Sequence, residues 1–186
     1  PLDSSAASDV YKRQLIVGWT MMAMILPLLF SFIITWWLDG FTLAFKSFML
    51  PIFLSGIIGT LLLSVGVRSD TTERLRDREA FAAVALAWPV AVLIGSFPFW
   101  LGGVFHGPFT DGSTMIDIAR GFVNSWFESM SGFTTTGATV IEHRMSPNCI
   151  PGTTPDCINA QPQGILIWRS LTQWLGGMGI IMLGLM

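Results

Sequence analysis

Four long apolar runs, separated by polar stretches, dominate the chain. Residues 15–38, 48–67, 80–101 and 164–186 each hold about 20 or more mostly apolar positions, enough for a helix rising 1.5 Å per residue to cross a hydrocarbon layer about 30 Å thick. Each is predicted as a transmembrane helix. The first contains Pro27, Ser31 and Thr35. Membrane helices tolerate such residues where neighbours satisfy the freed backbone, so a mild kink is expected at Pro27. Trp19 near one end and Trp36 and Trp37 at the other suit interfacial anchoring, and Asp39-Gly40 predicts a tight turn. In the second run Ser55, Gly56, Gly59 and Thr60 place small residues at one-turn spacing, which favours close helix packing. The third contains Trp88-Pro89, with Trp100 at its outer edge.

Between the third and fourth runs the pattern changes. Thr114-Met115-Ile116-Asp117 reads as a capping box that starts a helix. The helix continues through Ile118, Phe122, Trp126 and Met130 to about Gly132. It also carries Arg120, Asn124, Ser125, Glu128, Ser129 and Ser131, so it is too polar and too short for a lipid-facing span. Next comes Thr134-Thr135-Thr136-Gly137-Ala138, a poor helix interior, because β-branched residues lose rotamer freedom there and glycine weakens it further. Irregular backbone at membrane depth is tolerated only where it is buried in protein or lines water. An extended threonine–glycine run can line up successive carbonyl oxygens, and rings of such oxygens replace the water shell of a cation. Gly137 can take the positive φ that lets adjacent carbonyls share one side. The expected fold is therefore an all-α membrane protein: four transmembrane helices with one re-entrant pore helix and a selectivity-filter loop. The backbone carbonyls of Thr135, Thr136, Gly137 and Ala138 are its candidate cation ligands.

Composition agrees: 52% of residues are hydrophobic and 12% charged, against about a quarter charged in soluble domains. A net charge of -2 argues against nucleic-acid binding. The loop at 68–79 is strongly charged, and Arg68, Arg74, Arg76 and Arg78 assign it to the cytoplasm, together with the N-terminus. Residues 1–14 are polar and differ abruptly from the apolar run that begins at Leu15. They are read as a non-native or disordered tail, and the chain, opening on Pro1 and stopping in an apolar run, as a fragment truncated at its C-terminus. Arg169, near the outer end of the fourth span, needs a partner or must reach the interface. Glu128 is the candidate partner, in which case the two brace the pore helix; snorkelling of Arg169 is the alternative. Cys149 and Cys157 flank a proline- and glycine-rich turn on the outer, oxidising side, which favours a local disulfide over free thiols. A metal site there is not expected, since His143 is the other soft ligand nearby and the spacing matches no zinc pattern. His106 is read as a solvent-facing loop residue. Gly176-Gly177-Met178-Gly179 follows no strand, so it is no nucleotide fingerprint; it predicts a close backbone approach or a bend. No arrangement of bases and nucleophiles suggests an enzyme.

The stretch FESMSGFTTTGATV at 127–140 resembles the first pore loop of Trk-type potassium uptake proteins, the TrkH/TrkG kind within the Trk/Ktr/HKT superfamily. WRSLTQWLGGMGI at 168–180 resembles the start of the helix after that loop, and residues 75–99 the span before it. The resemblance implies an accessory two-helix hairpin at 15–67, the cytoplasmic loop at 68–79, and the first helix–pore loop–helix repeat at 80–186. It also implies potassium as the ion, since glycine at position 137 accompanies potassium in that superfamily and serine accompanies sodium-permeable members. The bacterial cytoplasmic (inner) membrane, surrounding membrane lipid, a homodimer of the full-length protein and a cytosolic nucleotide-binding regulatory subunit are implied as well. Three further repeats are expected beyond residue 186, because one loop supplies a quarter of a ring. Two other readings stay open: a subunit whose single pore loop assembles as a tetrameric cation channel, and a non-transporting accessory membrane protein whose threonine run is a packed turn.

Overall fold

A computed structural model describes residues 2–66 and 77–184. They form five helices: α1 (Leu2–Asp39), α2 (Phe41–Gly66), α3 (Asp77–Leu101), α4 (Met115–Phe133) and α5 (Gln163–Gly184), with no strand among the described residues. Three contain stretches long and apolar enough to cross a membrane: Arg13–Asp39, Phe41–Val65 and Val84–Leu101. The sequence predicts a fourth in α5. That helix has 22 residues, but Gln163, Arg169, Gln173 and its glycines dilute its apolar character, and it is not among the three. The charged loop at 68–79 falls mostly outside the described residues. The polar segment read as a tail is helical from Leu2 and continuous with the first span. α1 also passes through Pro27 without a break, and Gly40, with φ of +98°, makes the turn into α2.

The chain divides into two units. One comprises the described parts of Pro1–Leu26 and Ile52–Ala91. Here the small residues of α2 meet α1: a Cβ on Gly59 would lie 3.0 Å from Met22 and 3.3 Å from the Gly18 carbonyl. Ser55 is buried, whereas Thr60 faces outward and returns its hydroxyl to the Gly56 carbonyl.

The other unit comprises Pro27–Pro51 and Val92–Met186. Its core gathers Leu28, Phe48, Val92, Ile94, Phe99, Phe105, Phe133, Ile165 and Trp168. Trp168 is fully buried; its indole N–H donates to the Gly95 carbonyl at 3.0 Å and its ring meets Phe48 edge-on. α4 begins where its sequence signals a start. Thr114 Oγ1 accepts from the Asp117 N–H, and the Asp117 carboxylate accepts from the Thr114 N–H at 3.1 Å. The part of the preceding loop around His106 packs on α4. Gly121 is buried so tightly beneath His106 that a Cβ would lie 1.9 Å from the His106 carbonyl oxygen. The His106 ring, read from sequence as solvent-facing, is half-buried and hydrogen-bonded to Ser113 at 3.0 Å. A loop histidine's surroundings depend on what folds over it, and here that is the first half of α4.

Glycines also set the far end of α4. The Phe133 ring occupies the place of a Cβ on Gly95, 2.6 Å away, and a Cβ on Gly176 would lie 2.1 Å from the Phe133 carbonyl oxygen. The glycine run in α5 therefore serves a close backbone approach. Gly176→Ala is expected to force main chain apart and to destabilise the protein by about 1–3 kcal/mol. Gly177→Ala, whose Cβ would meet only Thr135 Cγ2 at 3.8 Å, is expected to be nearly neutral. Thermal unfolding of the two variants in detergent checks the contrast; equal midpoints would refute it.

The Asp117 carboxyl is held below its ordinary range, first by the Thr114 hydroxyl and then by the Thr114 backbone N–H. A carboxyl depressed on folding stabilises the folded state above its unfolded pKa of about 3.9, and that contribution is lost as pH falls through the lower folded value. Thr114→Ala is expected to weaken the start of α4 at neutral pH. Hydrogen exchange at the Asp117 and Ile118 amides should show that loss, and should show wild type approaching the variant as pH drops below the carboxylate range. A gap that stays constant with pH would refute it.

Candidate functional site

The site is the segment that leaves the C-terminal end of α4. The helix stops in a two-bond motif: the Thr135 N–H donates to the Gly132 carbonyl at 2.9 Å and the Thr136 N–H to the Ser131 carbonyl at 3.0 Å. Such a stop places one residue in the left-handed region, usually glycine. Here that residue is Thr135, with φ of +57°, and no other non-glycine residue has positive φ among those described. A β-branched residue there is an outlier, of a kind that costs about 1–3 kcal/mol and persists only where its surroundings enforce it. Gly137 comes two residues later with φ of +75°. Positive φ at 135 and again at 137 turns the main chain away from helix and leaves residues 134–139 exposed.

Glu128 holds this segment from behind. Its side chain has no exposure. One carboxylate oxygen accepts the Val140 N–H at 2.7 Å and the Thr139 hydroxyl; the other accepts Arg169 Nε at 3.2 Å. The structure thus brings together Glu128 and Arg169, residues 41 apart in sequence. Arg169 Nη2 also reaches the Gly137 carbonyl at 3.4 Å, and the Ser131 hydroxyl donates to the Ala138 carbonyl at 2.6 Å. The four candidate carbonyls therefore differ. Those of Gly137 and Ala138 each accept one internal hydrogen bond, while those of Thr135 and Thr136 accept none from any described residue. A carbonyl oxygen has two lone pairs, so one internal bond leaves acceptor capacity. The end of the α4 dipole adds partial negative charge beside this array.

Sequence reasoning missed the anchors of this segment. Thr139, Val140 and Ser131 carry no distinctive spacing. The available signal was Glu128 itself, a carboxylate in the body of an otherwise carboxylate-poor helix, which had to find donors if buried. Farther out, Cys149 and Cys157 lie with Cα atoms 5.0 Å apart and their sulfurs at bonding distance. His143 Nδ1 sits 3.1 Å from Cys149 Sγ. Buried Gln161, also unforeseen, ties this loop together through Ser146 Oγ and the Cys157 carbonyl.

No family model matches the chain, and no solved structure does. Curated relatives do. The Trk system potassium uptake protein TrkH of Halomonas elongata is 34% identical over 162 residues, covering 87% of this chain and 26% of that protein. TrkH of Salmonella typhimurium is 32% identical over 160 residues, covering 86% and 26%. An uncharacterized cation transporter of Methanocaldococcus jannaschii is 33% identical over 139 residues, covering 75% and 23%. The two TrkH matches each extend over more than four-fifths of this chain, so it belongs to the Trk-type potassium uptake proteins and spans about a quarter of the length of the relatives it matches.

Proposed function

We propose that this chain contributes one pore loop to a potassium-uptake pathway across the bacterial cytoplasmic membrane, with the cation held by backbone carbonyls of Thr135, Thr136, Gly137 and Ala138. The observation that carries this reading is the exposed, glycine-jointed segment at the end of α4, whose Thr135 and Thr136 carbonyls have no donor among the described residues. Carbonyl oxygens left without donors where the solvent is scarce are suited to a partly dehydrated cation. The names of the relatives, potassium uptake proteins, supply the ion.

On this reading α4 is a re-entrant pore helix and α5 the fourth span, lying against protein on the α4 side and so tolerant of Arg169 and Gln173. Glu128 and Arg169 brace the filter: the carboxylate fixes residues 139–140 and the guanidinium spans from Glu128 to the Gly137 carbonyl. The arginines of the 68–79 loop orient that loop and the N-terminus toward the cytoplasm. A Cys149–Cys157 disulfide closes the outer loop on the opposite side. Further loops must complete the ring, since one supplies a quarter of it. A homodimer of the full-length protein, embedded in lipid, with a cytosolic nucleotide-binding regulatory subunit completes the assembly that the family resemblance implies. The chain carries no catalytic role in this scheme: potassium is cargo, coordinated and released.

Gly137→Ser in the full-length protein is expected to lower potassium uptake or its preference over sodium. It puts a side chain on a residue at φ of +75°, a conformation costing L-residues about 1–2 kcal/mol. Rubidium-86 uptake with sodium competition, in cells lacking other potassium transporters, reads the outcome; both quantities unchanged would refute the filter. Glu128→Ala is expected to destabilise the protein by about 3 kcal/mol or more, since it strands Arg169. A double charge reversal of Glu128 and Arg169 is expected not to restore uptake, because the Val140 N–H would then face a cation instead of an acceptor. Full recovery in that swap would reduce Glu128 to a simple ion-pair partner.

A further inference from the structure

Asp39 is the last residue of α1, yet both oxygens of its carboxylate bond to α5. Oδ1 accepts the Gln163 N–H at 3.1 Å and Oδ2 the Gly164 N–H at 2.6 Å, across separations of 124 and 125 residues. These N–H groups belong to the first turn of α5, where no carbonyl of the helix can reach them. A carboxylate there also meets the positive end of the helix dipole.

Two further contacts hold the same turn. A Cβ on Gly164 would lie 2.1 Å from Thr35 Oγ1 and 2.6 Å from Thr35 Cα, so α1 and α5 touch backbone to backbone. One turn on, Trp168 is pinned between Phe48 and the Gly95 carbonyl. Arg169 is the next residue, five positions beyond Gly164 and about 7.5 Å farther along the axis. Its contact to Glu128, at 3.2 Å, lies at the long end of the usual hydrogen-bond range, and that to the Gly137 carbonyl, at 3.4 Å, just past it. A small slide or rotation of α5 would break the second of them first.

We propose that Asp39 is a positioning residue for the ion pathway: by gripping the first turn of α5 it sets the depth and rotation at which Arg169 meets Glu128 and the Gly137 carbonyl. The inference rests on the filter reading above. It gives the α1–α2 turn a part in ion discrimination, although Asp39 touches none of the candidate carbonyls and acts only through α5.

The test uses the full-length transporter in cells lacking other potassium uptake, with transporter amount in the membrane measured alongside rubidium uptake and sodium competition. Asp39→Ala is expected to change the potassium-over-sodium ratio per transporter by about two- to thirtyfold, the range seen when a coupled position is altered. Asp39→Asn, which keeps one acceptor oxygen, is expected to change it less but measurably, and carries the test if the alanine variant fails to reach the membrane. An unchanged ratio in the variants that reach the membrane, with or without a fall in transporter amount, would make Asp39 a stability cap and overturn the proposal. Gly137→Ser measured in parallel separates the two levels. If it moves the ratio and the Asp39 variants do not, this inference fails alone. If none of them moves it, the filter reading falls and takes this inference with it.

Discussion

A carboxylate removed from water within a membrane chain must be surrounded by donors, and Glu128 is. Its donors are a main-chain N–H, a threonine hydroxyl and an arginine, drawn from the irregular segment and from α5. The dependence runs both ways. Without the segment in place the charge would be buried and under-satisfied, a state that costs several kcal/mol. Without the charge, residues 139–140 would lose the acceptor that holds them extended. One side chain thus makes the end of α4, the carbonyl segment and the start of α5 a cooperative group. Arg169 extends it by reaching the Gly137 carbonyl from the same anchor.

The left-handed conformation of Thr135 belongs to this same set of contacts. Glycine would end the helix there at lower cost, so the threonine is held by its surroundings: its own N–H on the Gly132 carbonyl, the next residue's N–H on the Ser131 carbonyl, and α5 beside its methyl group. The arrangement yields a sharp exit from helix to extended chain within three residues. With the helix ended, the N–H four residues after Thr136, that of Val140, goes to Glu128 instead, and the carbonyls of Thr135 and Thr136 have no main-chain donor among the described residues.

How much was legible in the sequence depends on the range of each interaction. The capping box at Thr114, the small-residue contact at Gly59, the turn at Gly40 and the break after Phe133 are written within a few neighbouring residues, and pattern alone finds them. Asp39 illustrates the opposite case. From sequence it is half of a turn dipeptide, while in the fold it caps a helix 124 residues away. His106 reads as solvent-facing because nothing local announces that α4 folds beneath it. The polar residues 2–14 read as a tail because composition changes sharply at residue 15, but helix formation does not require an apolar face and continues through the change. Arg169 and Glu128 were legible as one of two readings, a pair or a snorkelling arginine, because each is costly alone in its setting; the Val140 and Thr139 donors had no such signature.

Main chain meeting main chain at Gly164 and Gly176 has a consequence for how this region can drift over evolutionary time. Where side chains set a spacing, a larger residue on one helix can be matched by a smaller one opposite, and the pair can wander together. Where peptide groups set it, there is nothing left to trim. The geometry behind the carbonyl segment is therefore insulated from repacking elsewhere in the bundle, and the freedom to vary is displaced to the outward-facing surfaces of α1 and α2.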